Sequence, residues 1–209
     1  MPRAKSPSAP STVGGQRPAH RPSRRQQIIP AAIDEFAKVG VAAATIANVA
    51  RRAGMTAAAV YYHFPSREDL IAEVVRDIGA QIRTSTQPQA GDEGLHTVGL
   101  FDRVFDEYER WEVKHGAEAR IFWVETVGLS PLVEAARRET LTAILNGTEA
   151  LLAAAGLWEE GPAATVNALA LVTLVLAAME VQFRADGKAP SARQLRAAVS
   201  YVGGRVLRP

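Results

Sequence analysis

Apolar residues recur every three or four positions along most of the chain, and stretches that alternate with polar residues are scarce. The spacing is clear between residues 23 and 39, where Ile28, Ala32 and Phe36 fall on one face. This period predicts amphipathic helices rather than strands. The abundance of alanine, a strong helix former, favours the same interpretation. We therefore expect an all-α protein of about nine helices.

Capping residues divide the N-terminal part into short helices, predicted at 23–39, 45–53 and 56–63, with a longer one that begins at Ser66. Thr45 and Thr56 are suitable N-caps, and glycines follow the first two helices. The stretch Ser66-Arg67-Glu68-Asp69 resembles a capping box in which Asp replaces the usual Glu or Gln. Pro30 conflicts with the first helix. Either the helix kinks there, or its regular part begins at Ile29 with Pro30 as the first helical residue.

The second part of the chain predicts five further helices after a loop at 87–92. Ser130-Pro131 marks one helix start, with Ser as N-cap and Pro at the first helical position. The expected helices span 95–115, 117–128, 131–155, 162–185 and 191–207.

Charge is unevenly distributed along the chain. The formal net charge is only +2, but residues 1–67 carry a net charge of +8 and the remaining residues carry −6. Residues 1–22 are rich in Pro, Ser, Gly and Arg and have few large apolar side chains, so this segment predicts a disordered basic arm. A basic end on an otherwise acidic chain favours a polyanionic partner.

Residues 45–64 have the organisation of a helix-turn-helix. Two short predicted helices meet at Gly54, which can adopt the positive φ that the turn needs. Small alanines allow the helices to cross closely, and the second helix could enter a DNA major groove. A small core is expected from Ile46, Val49, Ala50, Ala53, Val60 and Phe64.

The residues themselves make this resemblance specific. The run from Thr45 to Thr56, followed by Val60-Tyr61-Tyr62-His63-Phe64-Pro65-Ser66-Arg67-Glu68-Asp69-Leu70, resembles the DNA-binding domain of the TetR family of transcriptional regulators. The match covers about residues 24–74. The resemblance implies a homodimer that binds a near-palindromic operator, usually represses, and is released by a small ligand. It also implies a DNA-binding domain at 23–84 and a helical ligand-binding and dimerisation domain at 92–209.

The resemblance also implies which residues contact DNA. Thr45 and Thr56 would meet phosphates through their hydroxyls and helix N-termini. Tyr61, Tyr62 and His63 would touch the backbone or bases, and Arg67 stands where the family commonly has a phosphate-binding Lys. Base-reading positions are occupied by Ala47, Ala57, Ala58 and Ala59. Alanine can touch a thymine methyl but cannot form a hydrogen bond with a base edge. We therefore expect few direct contacts that distinguish one base from another.

The family's ligand pocket lies among the C-terminal helices, and apolar walls with a few polar groups suit an apolar or aromatic ligand. Candidate lining residues are Phe105, Trp111, Trp123, Glu125 and Met179. Helices 162–185 and 191–207 correspond to the family's dimer surface. The alternative for the first is a central core helix of a monomer, but a dimer is favoured because one half-site contact is rarely enough.

Two other classes of function have less support from the sequence. An α-helical enzyme is not supported, because the four histidines are far apart in sequence, cysteine is absent, and no nucleophile or phosphate motif occurs. An adaptor that binds RNA or a membrane would need interleaved aromatic residues or an amphipathic helix in the arm, and the sequence of the arm has neither. No metal, cofactor or membrane partner is expected, and the absence of a signal peptide favours a cytoplasmic location.

The basic arm gives the first testable prediction. Arginines of the arm can enter a minor groove beside the helix-turn-helix and supply discrimination that alanines lack. Deletion of residues 1–22 should therefore weaken operator binding and flatten its dependence on salt concentration. Fluorescence anisotropy across a salt series measures both, and an unchanged affinity and slope would exclude a role for the arm.

Overall fold

The computed structural model describes residues 24–157, together with 194, 196–198 and 201. The arm at 1–22, Met179, the predicted helix 162–185 and most of the predicted helix 191–207 lie outside the described residues. Within the described ranges every regular element is helical. The helices are α1 (Arg24–Val39), α2 (Ile46–Arg52), α3 (Ala57–His63), α4 (Arg67–Ile82), α5 (Thr97–Lys114), α6 (Gly116–Arg120) and α7 (Pro131–Ala154).

The N-terminal helices follow their predicted caps closely. The side chain of Ser66 accepts the Asp69 N–H at 3.0 Å, and the Asp69 carboxylate accepts the Ser66 N–H at 2.9 Å. The shorter Asp therefore completes the capping box at the start of α4. The proposed start of a regular helix at Ile29 is wrong, because α1 begins at Arg24 and continues through Pro30.

The predicted helix 117–128 is not a single α-helix. α6 ends at Arg120 and passes into a π-helix at Ile121–Glu125, in which the Thr126 N–H donates to the carbonyl of Ile121 at 3.2 Å. The Thr126 hydroxyl donates to the same carbonyl, and the buried guanidinium of Arg137 donates to the carbonyl of Phe122. These contacts satisfy carbonyls that the change of helical register would otherwise leave unpaired.

The core is continuous from the first helices into α5, α6 and α7. α4 lies at its centre and packs on α1 and on α7. Its inward positions are fully or almost fully buried, which removes most of the apolar surface of the helix from water. The buried residues of α4 are Leu70, Ile71, Ala72, Val74, Val75, Ile78, Gly79 and Ile82. The division into domains at 22, 84 and 92 stays a prediction.

α4 and α7 approach each other closely at Gly79. A Cβ placed on Gly79 would lie 2.0 Å from the Cγ2 atom of Thr140, which is buried on α7. No side chain larger than hydrogen fits at that separation unless the helices move apart. Glycine is therefore required here by a close approach of two helices, although it lowers helix propensity.

The Gly79 contact predicts that replacing this helical glycine by alanine lowers the free energy of unfolding, which is the opposite of the usual effect. Gly79→Ala should destabilise the protein by about 1–3 kcal/mol through overpacking, whereas Gly→Ala inside a helix ordinarily stabilises. Urea denaturation measures the difference. Gly116→Ala is the control, because a Cβ there would meet nothing within 4 Å.

Thr140→Ser in the Gly79→Ala background should restore part of the loss, since it removes the methyl group nearest the added Cβ. A Gly79→Ala variant at least as stable as the wild type would contradict this account of the α4–α7 contact.

Candidate nucleic-acid interface

The turn between α2 and α3 is built on Gly54. Its φ is +67°, and the surrounding backbone closes the end of α2 with two hydrogen bonds. The Met55 N–H donates to the Ala50 carbonyl at 2.8 Å, and the Gly54 N–H donates to the Arg51 carbonyl at 3.2 Å. This pair is a Schellman motif. A Cβ on Gly54 would have open space, so backbone conformation alone explains the glycine.

The predicted core of the helix-turn-helix is confirmed. Apolar side chains of α2 and α3 are buried in the same core cluster as those of α1 and α4, and the remaining side chains of the two helices are partly buried or exposed. The buried side chains are Ile46, Val49, Ala50, Val60 and Phe64, with Ala53 partly buried.

The two predicted cap threonines lie exposed at the N-termini of α2 and α3. The Thr45 hydroxyl accepts the Asn48 N–H and the Thr56 hydroxyl accepts the Ala59 N–H, both at 3.2 Å. Each hydroxyl uses only its oxygen in this cap, so its hydrogen can still be donated to an outside acceptor. Phosphate oxygens are acceptors of that kind.

The aromatic residues of α3 are exposed to very different degrees. The Tyr62 side chain is 85% exposed and that of Tyr61 is 49% exposed, whereas His63 is partly buried. Tyr62 contacts the His63 ring edge-on, with 5.2 Å between the ring centroids. A tyrosine as exposed as Tyr62 contributes little to the core, so folding does not explain it.

The four alanines at the predicted base-reading positions differ in their exposure. Ala47 and Ala58 are exposed, while Ala57 and Ala59 are partly buried. Ala57 also packs against the core. Their side chains are methyl groups, as the sequence predicts, and they offer no side-chain hydrogen bonds.

Arg67 has partners within the fold that the sequence does not reveal. Its Nε donates to the carbonyl of Ala44 at 3.0 Å, and its Nη2 donates to the carbonyls of Val41 and Ala42. The guanidinium therefore holds the loop between α1 and α2, and 27% of its side chain remains exposed. Its predicted phosphate contact stays a prediction.

Arg52 of α2 has an acidic partner on α1. Its Nη2 lies 2.8 Å from the carboxylate of Glu35, a buried residue of α1. The hydrogen bond from Arg52 lowers the pKa of Glu35 below its ordinary value of 4.5, against the opposing effect of burial. The pair fixes α2 to α1 and so orients the outer face of the motif.

Arg25 is also tied to the folded domain rather than to the arm. Its guanidinium pairs with Glu73 of α4 at 3.0 Å and lies 5.3 Å from the centre of the Phe64 ring. The sequence showed no acid near Arg25, but the fold supplies one from 48 positions further along the chain.

The predicted ligand-lining aromatics are packed within the helical core. Phe105 and Trp123 are buried, and the Trp123 Nε1 donates to the Tyr108 hydroxyl at 2.8 Å. Burial raises the pKa of Tyr108 well above its usual range. Trp111 is partly buried, and its Nε1 donates to Gln81 of α4 at 3.3 Å. Their role in ligand binding stays a prediction.

Glu125 has polar contacts that do not involve these aromatics. Its carboxylate accepts the Val41 N–H at 2.6 Å and the Arg120 Nε at 3.0 Å. A groove of about 620 Å³ lies elsewhere, on an exposed face of α5, and none of the four described ligand candidates, Phe105, Trp111, Trp123 and Glu125, lines it. The groove is lined by Asp106, Glu109, Arg110, Val113 and Lys114.

The part of the chain that the structure describes contains neither a metal-ligand cluster nor a membrane-spanning helix. No three histidine or acidic side chains are grouped there as metal ligands. No helix in that part of the chain is long and apolar enough to cross a bilayer.

A known family model matches the segment that contains the helix-turn-helix. Residues 28–74 match the family model described as bacterial regulatory proteins, tetR family. The resemblance to the TetR family is confirmed. The TetR-type domain contains the whole of α2 and α3 and the first half of α4.

Curated HTH-type transcriptional regulators match over a limited part of the chain. The chain is 40% identical over 63 residues to the HTH-type transcriptional regulator BetI of Klebsiella pneumoniae (strain 342), which covers 30% of this chain and 32% of BetI. It is 30% identical over 80 residues to the uncharacterised HTH-type regulator YdgC of Bacillus subtilis (strain 168), covering 38% and 41%. The matches thus span less than half the length of these relatives.

Solved structures of TetR type share the fold over most of the chain. A transcriptional regulator from Rhodococcus sp. Rha1 superposes with a TM-score of 0.68 at 22% identity, covering 88% of this chain and 96% of that one. The regulator FadR from Bacillus subtilis, solved with stearoyl-CoA, gives a TM-score of 0.68 at 17% identity, covering 87% and 98%. The predicted all-α architecture with an N-terminal helix-turn-helix is confirmed.

The Arg52–Glu35 pair predicts how stability depends on pH. Glu35→Gln should destabilise the protein above pH ~4.5, because glutamine can accept a hydrogen bond but loses the attraction to the Arg52 charge. The lowered pKa of Glu35 means that this advantage is present above the unfolded-state pKa and is lost as pH falls through the folded-state pKa.

Urea midpoints for both proteins between roughly pH 3 and pH 7 test this dependence. Asp34→Asn, on the exposed face of α1, controls for the change in net charge. A stability difference between wild type and Glu35→Gln that persists undiminished at the acid end would contradict the proposed charge interaction.

Proposed function

We propose that this protein is a DNA-binding transcriptional regulator that contacts its operator through α2 and α3. The observation that carries the proposal is the outer face of the TetR-type domain. There two cap hydroxyls and a tyrosine that is 85% exposed lie beside a surface of methyl groups. This combination suits a duplex, which offers phosphate acceptors at the groove edges and methyl groups on thymines within the groove.

Each residue of this face has a proposed role. Thr45 and Thr56 donate hydroxyl hydrogens to phosphates, and Tyr62 reaches a phosphate or sugar from the exposed side of α3. Ala58 faces the bases and contributes methyl contacts only. Tyr61, His63 and the other two alanines of α3 contribute by contact at the edges, and Arg67 adds positive charge close to the backbone. Sequence discrimination then depends largely on DNA shape and on the arm.

The regulator is further proposed to act as a homodimer that represses and is released by a ligand. A single half-site contact is rarely sufficient for specific binding, which favours a dimer on a near-palindromic operator. Support for an apolar ligand comes from the aromatic residues packed around Tyr108 and from FadR of Bacillus subtilis, which has a similar fold and was solved with stearoyl-CoA. Phe105, Trp111 and Trp123 are the described residues proposed to face such a ligand.

The primary test is binding to duplex DNA from the region upstream of the protein's own coding sequence. The full chain should bind this duplex specifically, with an affinity that falls steeply as salt concentration rises. A duplex of scrambled sequence is the control. Absence of binding to any duplex at low salt would overturn the proposal.

Tyr62 allows a sharper test of the binding face. Tyr62→Ala should weaken specific binding about tenfold or more, the loss expected for a hydrogen bond to a charged phosphate. Its unfolding midpoint in urea should stay close to that of the wild type, because the side chain is so exposed. Val113→Ala is the matched control, since Val113 is 88% exposed on α5 and lies outside the TetR-type domain.

Tyr62→Phe separates the two contributions of the side chain, because it removes only the hydroxyl. Equal affinities for wild type, Tyr62→Ala and Val113→Ala would show that α3 does not bind DNA through this residue.

A further inference from the structure

The backbone of the loop between α1 and α2 is held by two charged side chains from distant parts of the chain. We propose that Glu125 and Arg67 are positioning residues for DNA binding. They fix the backbone of residues 40–45 and thereby place Thr45 and α2 where they can contact the phosphate backbone of DNA. We name this pair the loop clamp. The inference rests on the proposed function, and it concerns the hold of these two residues on the loop, which is separate from any direct contact of Arg67 with a phosphate.

The first half of the loop clamp is the contact of Glu125 with Val41. The Glu125 Oε2 accepts the Val41 N–H at 2.6 Å across 84 positions of sequence. The Val41 side chain is completely buried, which leaves its N–H few alternatives. The preceding residue, Gly40, has φ +82° and approaches the same carboxylate oxygen, with 3.6 Å between that oxygen and a Cβ placed on Gly40.

The second half of the loop clamp is the contact of Arg67 with the loop carbonyls. Arg67 donates to Val41, Ala42 and Ala44, so it binds the loop at three points from the start of α4. Ala44 immediately precedes Thr45, whose hydroxyl caps α2. The backbone is thus fixed on its N–H side by Glu125 and on its carbonyl side by Arg67.

The position of Glu125 is itself determined by its surroundings. Glu125 is the last residue of the π-helix, whose carbonyls are bound by Thr126 and by the buried Arg137. Arg120 also pairs with its second carboxylate oxygen at 3.0 Å. Both carboxylate oxygens of Glu125 therefore have a hydrogen-bond donor, which suits a residue that positions another element.

The substitutions that test the loop clamp differ in what they remove. Glu125→Ala removes the acceptor, whereas Glu125→Gln keeps an oxygen that can accept the Val41 N–H. Glu139→Ala is the matched control, because it removes one acidic charge and an exposed ion pair with Arg76 without touching the loop. Arg67→Lys keeps the charge but cannot bridge three carbonyls.

Two readouts on the full chain separate positioning from folding. Hydrogen exchange of the Val41 amide should be about tenfold or more faster in Glu125→Ala than in Glu139→Ala, and close to wild type in Glu125→Gln. Affinity for the specific duplex should fall in the same order, with Glu125→Ala and Arg67→Lys about tenfold weaker than Glu139→Ala. Urea midpoints identify any variant whose global stability has changed.

The experiment distinguishes failure of the loop clamp from failure of the proposed function. If wild type binds the duplex and Glu125→Ala binds as tightly as Glu139→Ala, the loop clamp is overturned and the proposed function stands. Unchanged exchange at Val41 in Glu125→Ala also overturns the loop clamp. If wild type binds no duplex, the proposed function fails, and the inference of a role in DNA binding fails with it. If Glu125→Ala does not fold, Arg67→Lys decides the same question.

Discussion

The burial of α4 against α1 and α7 is the constraint on which the rest of the structure depends. Both α1 and α7 pack on α4, so a single apolar helix joins the core of the first helices to that of α7. The fit is close enough that Gly79 faces Thr140 with no space for a methyl group. Because close-packed helices slide or rotate only at considerable cost, the orientation of the binding face is set by contacts far from it.

Polar contacts then fix the positions of α2, of α3 and of the loop before α2, which the hydrophobic core alone does not determine. α2 and α3 have seven residues each, too few to be stable alone, and their capped ends and the loop before them must be held by other elements. Arg52 binds Glu35 on α1, while Arg67 and Glu125 hold the loop backbone. The same carboxylate that was expected to line a ligand pocket is therefore explained first by its contact with the N-terminal domain.

Local signals predicted the helical elements well, because caps and glycines act within a few residues. Thr45, Thr56, Ser66 and Ser130 all cap the helices that they were expected to cap. Contacts between distant residues left no such signal: Glu125 reaches Val41 across 84 positions, and Arg25 meets Glu73. The π-helix was also missed, since Arg137, which supports it, comes from a different helix. The exposure of Tyr62 could be predicted only through the family resemblance.

The central claim is that α2 and α3 bind DNA with the outer face described above, and a hydrogen-exchange footprint of the full chain tests it most directly. Exchange is measured with and without the specific duplex, and with the scrambled duplex as control. The account predicts slower exchange confined chiefly to residues 40–48 and 56–63 on specific binding, with the outer face of α5 unchanged. Protection that appears on α5 but not on α2 and α3 would contradict it.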